Sequence, residues 1–237
     1  MLEVCVDTIA GARAALRGGA GRVELCSSLS EGGLTPSAGL MQAAAALPIP
    51  CYAMIRPRCG LFHFSDDEVD IMISDIAAAR EAGLAGVVLG AQSPDGALNI
   101  AVLARLSQEA GTLGKTLHRV IDVVPDPMTA LEQAMQLGFD RVLTSGAQPF
   151  APDGVDLIRQ MVARAETNIS VMPGCGLTPE NVVEVMQKSG AHEVHAACRL
   201  EVEGDPAFSD FDPPGGRFET SEAEVARMIA ALKQASA

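Results

Sequence analysis

Four short apolar segments of the chain follow a glycine at the same spacing, with valine at the fourth position after it. They span residues 19–23, 83–87, 138–142 and 190–194. Each follows an alanine-rich or amphipathic stretch, which is typical of a helix. Glycine commonly ends a helix, and the apolar run behind it indicates a buried strand. The pattern therefore predicts four helix-to-strand units.

Four more apolar runs alternate with these units, at residues 2–7, 51–56, 115–121 and 169–172. Eight strands alternating with eight helices in 237 residues predict an α/β protein with a single-domain (β/α)8 TIM barrel over residues 1–237. A doubly wound open sheet is the alternative, but the GxGxxG turn expected after its first strand is missing. Residues at about 200–218 are rich in Pro, Gly and Asp and are expected to form an irregular loop before a C-terminal helix.

Composition narrows the class of protein. Apolar residues make up 48% and aromatic residues 3% of the chain, so the expected core is aliphatic. A net charge of −13 disfavours nucleic acid and anionic membrane surfaces as partners. No apolar run reaches the roughly 20 residues of a membrane span, and the N-terminus lacks the basic region of a signal peptide. We therefore expect a cytoplasmic protein with six free thiols, and homo-oligomerisation stays open.

Polar residues collect where the predicted strands end, which in a barrel is the side that carries chemistry. In the second strand, Val23 and Leu25 are expected to face the helices. Glu24 and Cys26 then face the barrel interior, where a lone carboxylate is costly. His195 has the same register relative to Val194 as Glu24 has to Val23. Because the second and eighth strands both flank the first in a closed barrel, Glu3, Glu24 and His195 are expected to meet. Arg56 and His118 are expected nearby, where they compensate the acids.

Each of these residues has a structural interpretation on its own. An inward Glu beside an Arg is often an ion pair of the core, and a strand His is often a hydrogen-bonded core residue. Because five or more such residues converge on one end, a functional pocket is the better interpretation. We expect Glu24, Arg56, His118 and His195 to face one cavity there.

Two features indicate that this cavity accepts an anion. Arg56 and Arg58 flank a proline that can turn both guanidinium groups into the mouth as a fork for a carboxylate or phosphate. Gly174 and Gly176 precede a predicted helix start, and Ser145 follows the sixth strand on the same side. Backbone amides at such a position can bind a phosphate or carboxylate.

Several stretches together resemble the CutC family, whose members are described as copper homeostasis proteins and fold as (β/α)8 barrels. These stretches are RVELC at 22–26, EGGLTPS at 31–37, IRPR at 55–58, TLHRVID at 116–122, RVLTSG at 141–146 and EVH at 193–195. The resemblance covers residues 2 to about 199. It implies cytosolic copper handling, with Cys5 and Cys26 as Cu(I) ligands by position. Thiolates are the soft ligands that Cu(I) prefers.

This chain departs from the family pattern at three positions. Cys59 and Cys175 stand where the family has glycine, and Leu61 stands where it has an acid. Two hypotheses follow. The resemblance favours a copper homeostasis protein that binds Cu(I). The pocket residues suit an enzyme for a small anionic or phosphorylated metabolite, in which Arg56 and Arg58 bind the anion, Glu24 or His118 takes a proton, and His195 orients or donates.

Overall fold

The computed structural model describes residues 1–203, 207, 210, 212 and 216–234. Eight strands form one sheet: β1 Leu2–Val6, β2 Arg22–Leu25, β3 Cys51–Met54, β4 Gly86–Leu89, β5 Gly114–Leu117, β6 Arg141–Thr144, β7 Ser170–Pro173 and β8 Val194–Ala196. A short antiparallel pair follows, made of β9 Arg199–Val202 and β10 Arg217–Thr220. The helices are α1 Ile9–Gly18, α2 Ala38–Ala45, α3 Asp66–Ala82, α4 Ile100–Ala110, α5 Pro127–Gln136, α6 Val155–Ala165, α7 Val182–Ser189 and α8 Glu222–Gln234.

The eight strands are parallel and neighbours in chain order, and β1 also pairs with β8. A parallel bridge between Gly174 and His195 links the end of β7 to β8 and closes the ring. The predicted single-domain TIM barrel is confirmed.

Local sequence sets where the helices begin and end. Ser65 and Glu68 form a capping box at the start of α3, which satisfies two backbone donors that a helix end leaves open. Gly19, Gly83 and Gly190 follow α1, α3 and α7 in the left-handed conformation, as the repeated glycine pattern predicts. Aliphatic side chains between strands and helices form the main core, so the polar residues of the strands are left to the barrel interior.

Two predicted strands end at least two residues earlier than expected. β3 ends at Met54 rather than residue 56, and β5 ends at Leu117 rather than residue 121. The cause in β5 is His118, whose Nδ1 accepts a hydrogen bond from Val120 N and starts a 3₁₀ turn over Arg119–Asp122. The chain therefore leaves the sheet at His118.

The predicted irregular loop at 200–218 is framed by ordered structure. β9 and β10 occupy its two ends and pair with each other, which corrects the expectation of a wholly irregular segment. The rest of that loop lies mostly outside the described residues. Within the described chain, no helix has both the length and the apolar character needed to cross a bilayer.

Candidate functional site

A layer of paired charges fills the middle of the barrel. Arg22 donates to Glu3 and to Glu193, and Arg141 also donates to Glu193. Both guanidinium groups lie over the ring of Tyr52, at 5.4 and 5.5 Å from its centroid. Two carboxylates and two guanidinium groups neutralise each other here, so the layer serves as a polar floor for the residues above it.

His195 joins this floor to the barrel mouth. Its Nδ1 lies 2.8 Å from Glu3 Oε1, and its Nε2 lies 3.7 Å from Glu24 Oε2. The strand register places these residues side by side, because Glu3 is paired with His195 and Cys5 with Glu24. The sequence prediction that Glu3, Glu24 and His195 meet therefore describes the structure.

Burial and neighbouring charges set the protonation of this trio. Burial disfavours ionised Glu3, but the hydrogen bond and charge of His195, together with Arg22, outweigh burial and lower its pKa to about 2. Burial also disfavours protonated His195, yet the negative charge of Glu24 and the contact with Glu3 raise its pKa well above the usual value. The pKa of Glu24 is raised, chiefly by burial. Glu24 is thus a carboxyl group suited to take up a proton.

Above the floor lies a cavity of about 220 Å³, which we call the inner cavity. Glu24, Arg56, His118 and His195 all line it, as do Phe62 and Cys5. A second cavity of about 550 Å³, the outer cavity, lies beside it between the loops after β6 and β7, β8 and α8. Both cavities open at the carboxyl ends of the strands, where TIM barrels carry their chemistry.

Arg56 enters the inner cavity without a carboxylate partner among the described residues. Its Nη1 donates to the carbonyl oxygens of Glu31 and Gly33, and its Nη2 donates to that of Gly60. The guanidinium lies 5.1 Å from the centroid of the Phe62 ring. Carbonyl groups orient the cation but leave its charge uncompensated.

His118, which also lines the inner cavity, is held neutral. Burial and the positive charge of Arg56 lower its pKa to about 3. Its Nδ1 accepts from Val120 N, so the ring proton is on Nε2. Gly90 leaves the space for this ring, since a Cβ there would lie 2.2 Å from His118 Cε1.

Three buried polar side-chain atoms have no hydrogen-bond partner within the part of the chain that the structure describes. They are Glu24 Oε1, Arg56 Nε and His118 Nε2. All three belong to residues that line the inner cavity. One acceptor and two donors at one cavity are complementary to a ligand that has a hydrogen-bond donor and an acceptor oxygen.

The predicted copper ligands occupy different positions in the site. Cys5 lines both cavities. Cys26 is fully buried and does not line the inner cavity, and its thiol donates to Glu24 Oε2 at 3.6 Å. Burial raises the pKa of Cys26 well above its usual value. In the described residues, Cys5 groups instead with Glu24 and His195, whose ligand atoms all lie within 4.8 Å of one another.

Only some of the predicted anion-binding residues line a cavity. Arg58 Nε lies 2.5 Å from Glu68 Oε1 at the start of α3 and forms an ion pair with it. Arg58 lines neither the inner nor the outer cavity. Ser145 is buried and its hydroxyl donates to Asp122. Gly174 packs against His195, and Gly176 lines the outer cavity.

Sequence reasoning missed the residues of the polar floor. It expected Arg56 and His118 to compensate the acids, whereas Arg22 and Arg141 do so. The signal was present in the alternation of β2, since Arg22 lies two residues before Glu24 and shares its face.

Comparison with known proteins identifies the family of the chain. The CutC family model matches residues 1–200. A CutC family protein of Caulobacter vibrioides is 48% identical over 238 residues, covering 98% of this chain and 97% of its own. A mouse protein named copper homeostasis protein cutC homolog is 46% identical over 200 residues, covering 84% of this chain and 74% of its own.

Solved structures give the same assignment. A Streptococcus agalactiae protein provisionally named copper homeostasis protein CutC superposes with a TM-score of 0.80 at 30% identity, over 83% of this chain and 98% of its own. A thiamine phosphate pyrophosphorylase from Pyrococcus furiosus superposes with a TM-score of 0.62 at 14% identity, over 100% of this chain and 96% of its own. This second likeness shows the fold alone. On the family match and the identity to these relatives, the chain belongs to the CutC family.

Proposed function

We propose that the barrel mouth is the active site of an enzyme that moves a proton on a small anionic organic molecule. The observation that carries the proposal is that three buried atoms without a partner among the described residues, Glu24 Oε1, Arg56 Nε and His118 Nε2, all belong to residues that line the inner cavity. A buried carboxylate, a neutral imidazole N–H and a guanidinium together form a set suited to acid–base chemistry.

Each residue has a distinct role in this proposal. Glu24 takes a proton from the substrate carbon or hydroxyl, and burial makes it a better base because it raises its pKa. The N–H groups of His118 and Arg56 donate to the substrate oxygen, where the electron pair of the broken bond collects. A neutral imidazole is effective here, since it donates without giving up its proton entirely.

The local charge balance favours an anionic substrate. Glu3 is compensated by Arg22 and His195, and Asp122 is compensated by Arg119. Arg56 is left without a carboxylate, and protonated His195 faces Glu24. A net positive inner cavity in a protein of charge −13 attracts anions locally despite the overall repulsion.

Proton abstraction is measured by the exchange of substrate hydrogens in D₂O, followed by NMR over a panel of 2-oxo acids, 2-hydroxy acids and their phosphorylated forms. We expect exchange with the wild-type protein and a loss of about 10²–10⁴-fold in Glu24→Gln. Glu81→Gln is the matched control, because Glu81 is exposed on α3. Equal exchange in Glu24→Gln and the wild type would contradict the role of Glu24. A panel in which no compound binds would contradict the proposed function.

Copper binding is a second candidate, favoured by the mutual proximity of Cys5, Glu24 and His195. The Cys26 thiol donates to Glu24, so a Cu(I) ion held by Cys5 and Cys26, as the family resemblance implies, displaces this hydrogen bond. Two thiolates suit Cu(I), whereas the mixed set of thiol, imidazole and carboxylate suits a harder ion better. This role requires a reducing compartment such as the cytoplasm, which keeps the thiols free.

Competition with a Cu(I) chelator separates these copper sites. If Cys5 and Cys26 hold Cu(I), Cys5→Ser and Cys26→Ser each weaken binding by about 10–100-fold or more. Cys51→Ser is the control, because Cys51 is buried and donates to Ala44 O and Ile49 O. Retained affinity in Cys26→Ser with a loss in Cys5→Ser assigns the ion to the Cys5, Glu24 and His195 group. Equal affinity in all variants contradicts copper binding at either site.

A further inference from the structure

The inner cavity is smaller than a typical ligand pocket. Its volume is about 220 Å³, whereas ligand pockets commonly measure about 300–1,000 Å³. The outer cavity of about 550 Å³ continues it, because six residues line both. These shared residues are Cys5, Arg119, Cys175, His195, Ala197 and Arg199. A ligand at Glu24 that is longer than the inner cavity therefore extends into the outer cavity.

Arg199 stands where the two cavities join. It is the first residue of β9, just beyond β8, and it is exposed. Among the described residues no carboxylate forms an ion pair with it. Its guanidinium lies 4.7 Å from the centroid of the Phe218 ring on β10. Stacking on a ring holds the plane of the guanidinium while leaving its N–H donors free for an anion.

The other charged groups of the outer cavity all have ion-pair partners. Arg119 is paired with Asp122 at 2.9 Å. Glu180 and Glu224 share one cation, Arg227, at 2.5 and 2.7 Å, so this trio keeps one negative charge.

Two thiols of the outer cavity, those of Cys175 and Cys198, add no charge. Burial raises the pKa of Cys175, and it raises that of Cys198 to about 12. Arg199 is thus the cation of this cavity whose charge is not matched within the described residues.

We infer that the ligand has two oxygen-rich ends, and that its second anionic group binds Arg199 in the outer cavity. The inference rests on the proposed function, which assigns the first end, a carbonyl, hydroxyl or carboxylate group, to Glu24, His118 and Arg56. The substrate class is therefore a short 2-oxo or 2-hydroxy acid, or a related carbonyl compound, with a terminal oxyanion. Phosphate and carboxylate share this chemistry, and an arginine fork binds both.

Calorimetric titration with matched probes tests this assignment. Pyruvate and glycolate supply one end only, and inorganic phosphate supplies the other end only. Phosphoglycolate and 3-phosphoglycerate supply both ends with a terminal phosphate, and 2-oxoglutarate supplies both with a terminal carboxylate. We expect at least one two-ended probe to bind about tenfold or more tightly than the matching one-ended probe. The difference between the phosphorylated probes and 2-oxoglutarate then identifies the terminal group.

Arg199→Met should abolish the tighter binding of the two-ended probe and leave the affinity for pyruvate or glycolate unchanged. Arg217→Met is the matched control, because Arg217 is also an exposed arginine of this strand pair and contacts Glu219 rather than either cavity. Glu24→Gln should instead weaken one-ended and two-ended probes alike.

The outcomes separate this inference from the proposed function. If pyruvate or glycolate binds through Glu24 but the terminal anion adds nothing, or if Arg199→Met retains the gain, the inference is wrong and the proposed function stands. If phosphate binds through Arg199 while Glu24→Gln changes no affinity, the proposed function is wrong. If no probe binds at up to about 10 mM, both are contradicted.

Discussion

Nδ1 of His195 lies 2.8 Å from Oε1 of Glu3, although 192 residues separate them in the chain. The contact joins the first and last strands of the barrel, which pair at this level. It fixes the imidazole so that Nε2 points towards Glu24. One hydrogen bond thus both links the first and last strands and orients the His195 ring at the barrel mouth.

Replacing Glu3 should destabilise the protein strongly. Glu3→Gln leaves Arg22 and His195 buried with less negative charge beside them, so we expect a loss of about 3–5 kcal/mol in the free energy of unfolding at neutral pH. Because the folded pKa of Glu3 is lowered to about 2 from 4.5, its contribution is present above pH 4.5 and is lost as the pH falls through 2. Urea unfolding of the wild type and Glu3→Gln across this range measures both effects.

Glu222→Gln provides the control for Glu3. Glu222 forms an ion pair with Arg17 in which both side chains are at least half exposed. Such pairs contribute little, so the variant should unfold like the wild type. Equal stability of Glu3→Gln and Glu222→Gln would contradict the assigned role of the polar floor.

Glu24→Gln should have the opposite effect on stability. The pKa of Glu24 is higher in the folded state than in the unfolded state. Such a carboxyl group stabilises the fold fully below its unfolded-state pKa, and this stabilisation is lost as the pH rises through its folded-state pKa. Removing the charge should therefore stabilise the protein by about 1–2 kcal/mol, with a greater gain at pH 8 than at pH 5. Thermal unfolding at the two pH values measures the gain. A variant that is less stable than the wild type at pH 8 would show that Glu24 is a structural partner.

His118 should stay neutral across the physiological range. With a pKa of about 3, it does not titrate between about pH 5 and pH 9, and its proton remains on Nε2. The ¹⁵N chemical shifts of its two ring nitrogens report the tautomer directly. His63, which lies in the loop before α3, is the comparison ring in the same spectrum. A titration midpoint of His118 near pH 6.5 would contradict the buried environment assigned to its ring.

Gly90 should tolerate no side chain. A Cβ there would lie 2.2 Å from His118 Cε1, so Gly90→Ala must displace the ring and should cost about 1–3 kcal/mol. Gly39→Ala is the control: Gly39 lies in α2 with nothing within 4 Å of its added Cβ, so we expect a gain of about 0.5–1 kcal/mol. Ligand affinity should fall in Gly90→Ala and stay unchanged in Gly39→Ala.

The sequence predicts the barrel and the direction of its strand residues because both depend on local periodicity. Alternation in β2 is enough to place Glu24 inside, and the same register places His195. The pairing of charges was not predictable in this way. Arg22 rather than Arg56 compensates Glu3, because the lateral fit of adjacent strands decides which inward residues meet.

Contacts made by loops also could not be predicted from the sequence. Arg56 donates to three carbonyl groups, which depend on the path of two loops rather than on residue type. Arg58 turns away to Glu68 at the capping box of α3, so the arginine fork predicted at this strand is reduced to Arg56 alone. A backbone conformation is needed to see either contact.

A crystal structure with the tightest probe of the panel bound tests the proposed active site most directly. We expect a ligand oxygen within about 2.7–3.2 Å of His118 Nε2 and Arg56 Nε, with a ligand proton donor or reacting carbon facing Glu24 Oε1. A probe bound elsewhere, with these three atoms engaged by other protein groups, would contradict it. So would a copper ion between Cys5 and Cys26 that fills the inner cavity in its place.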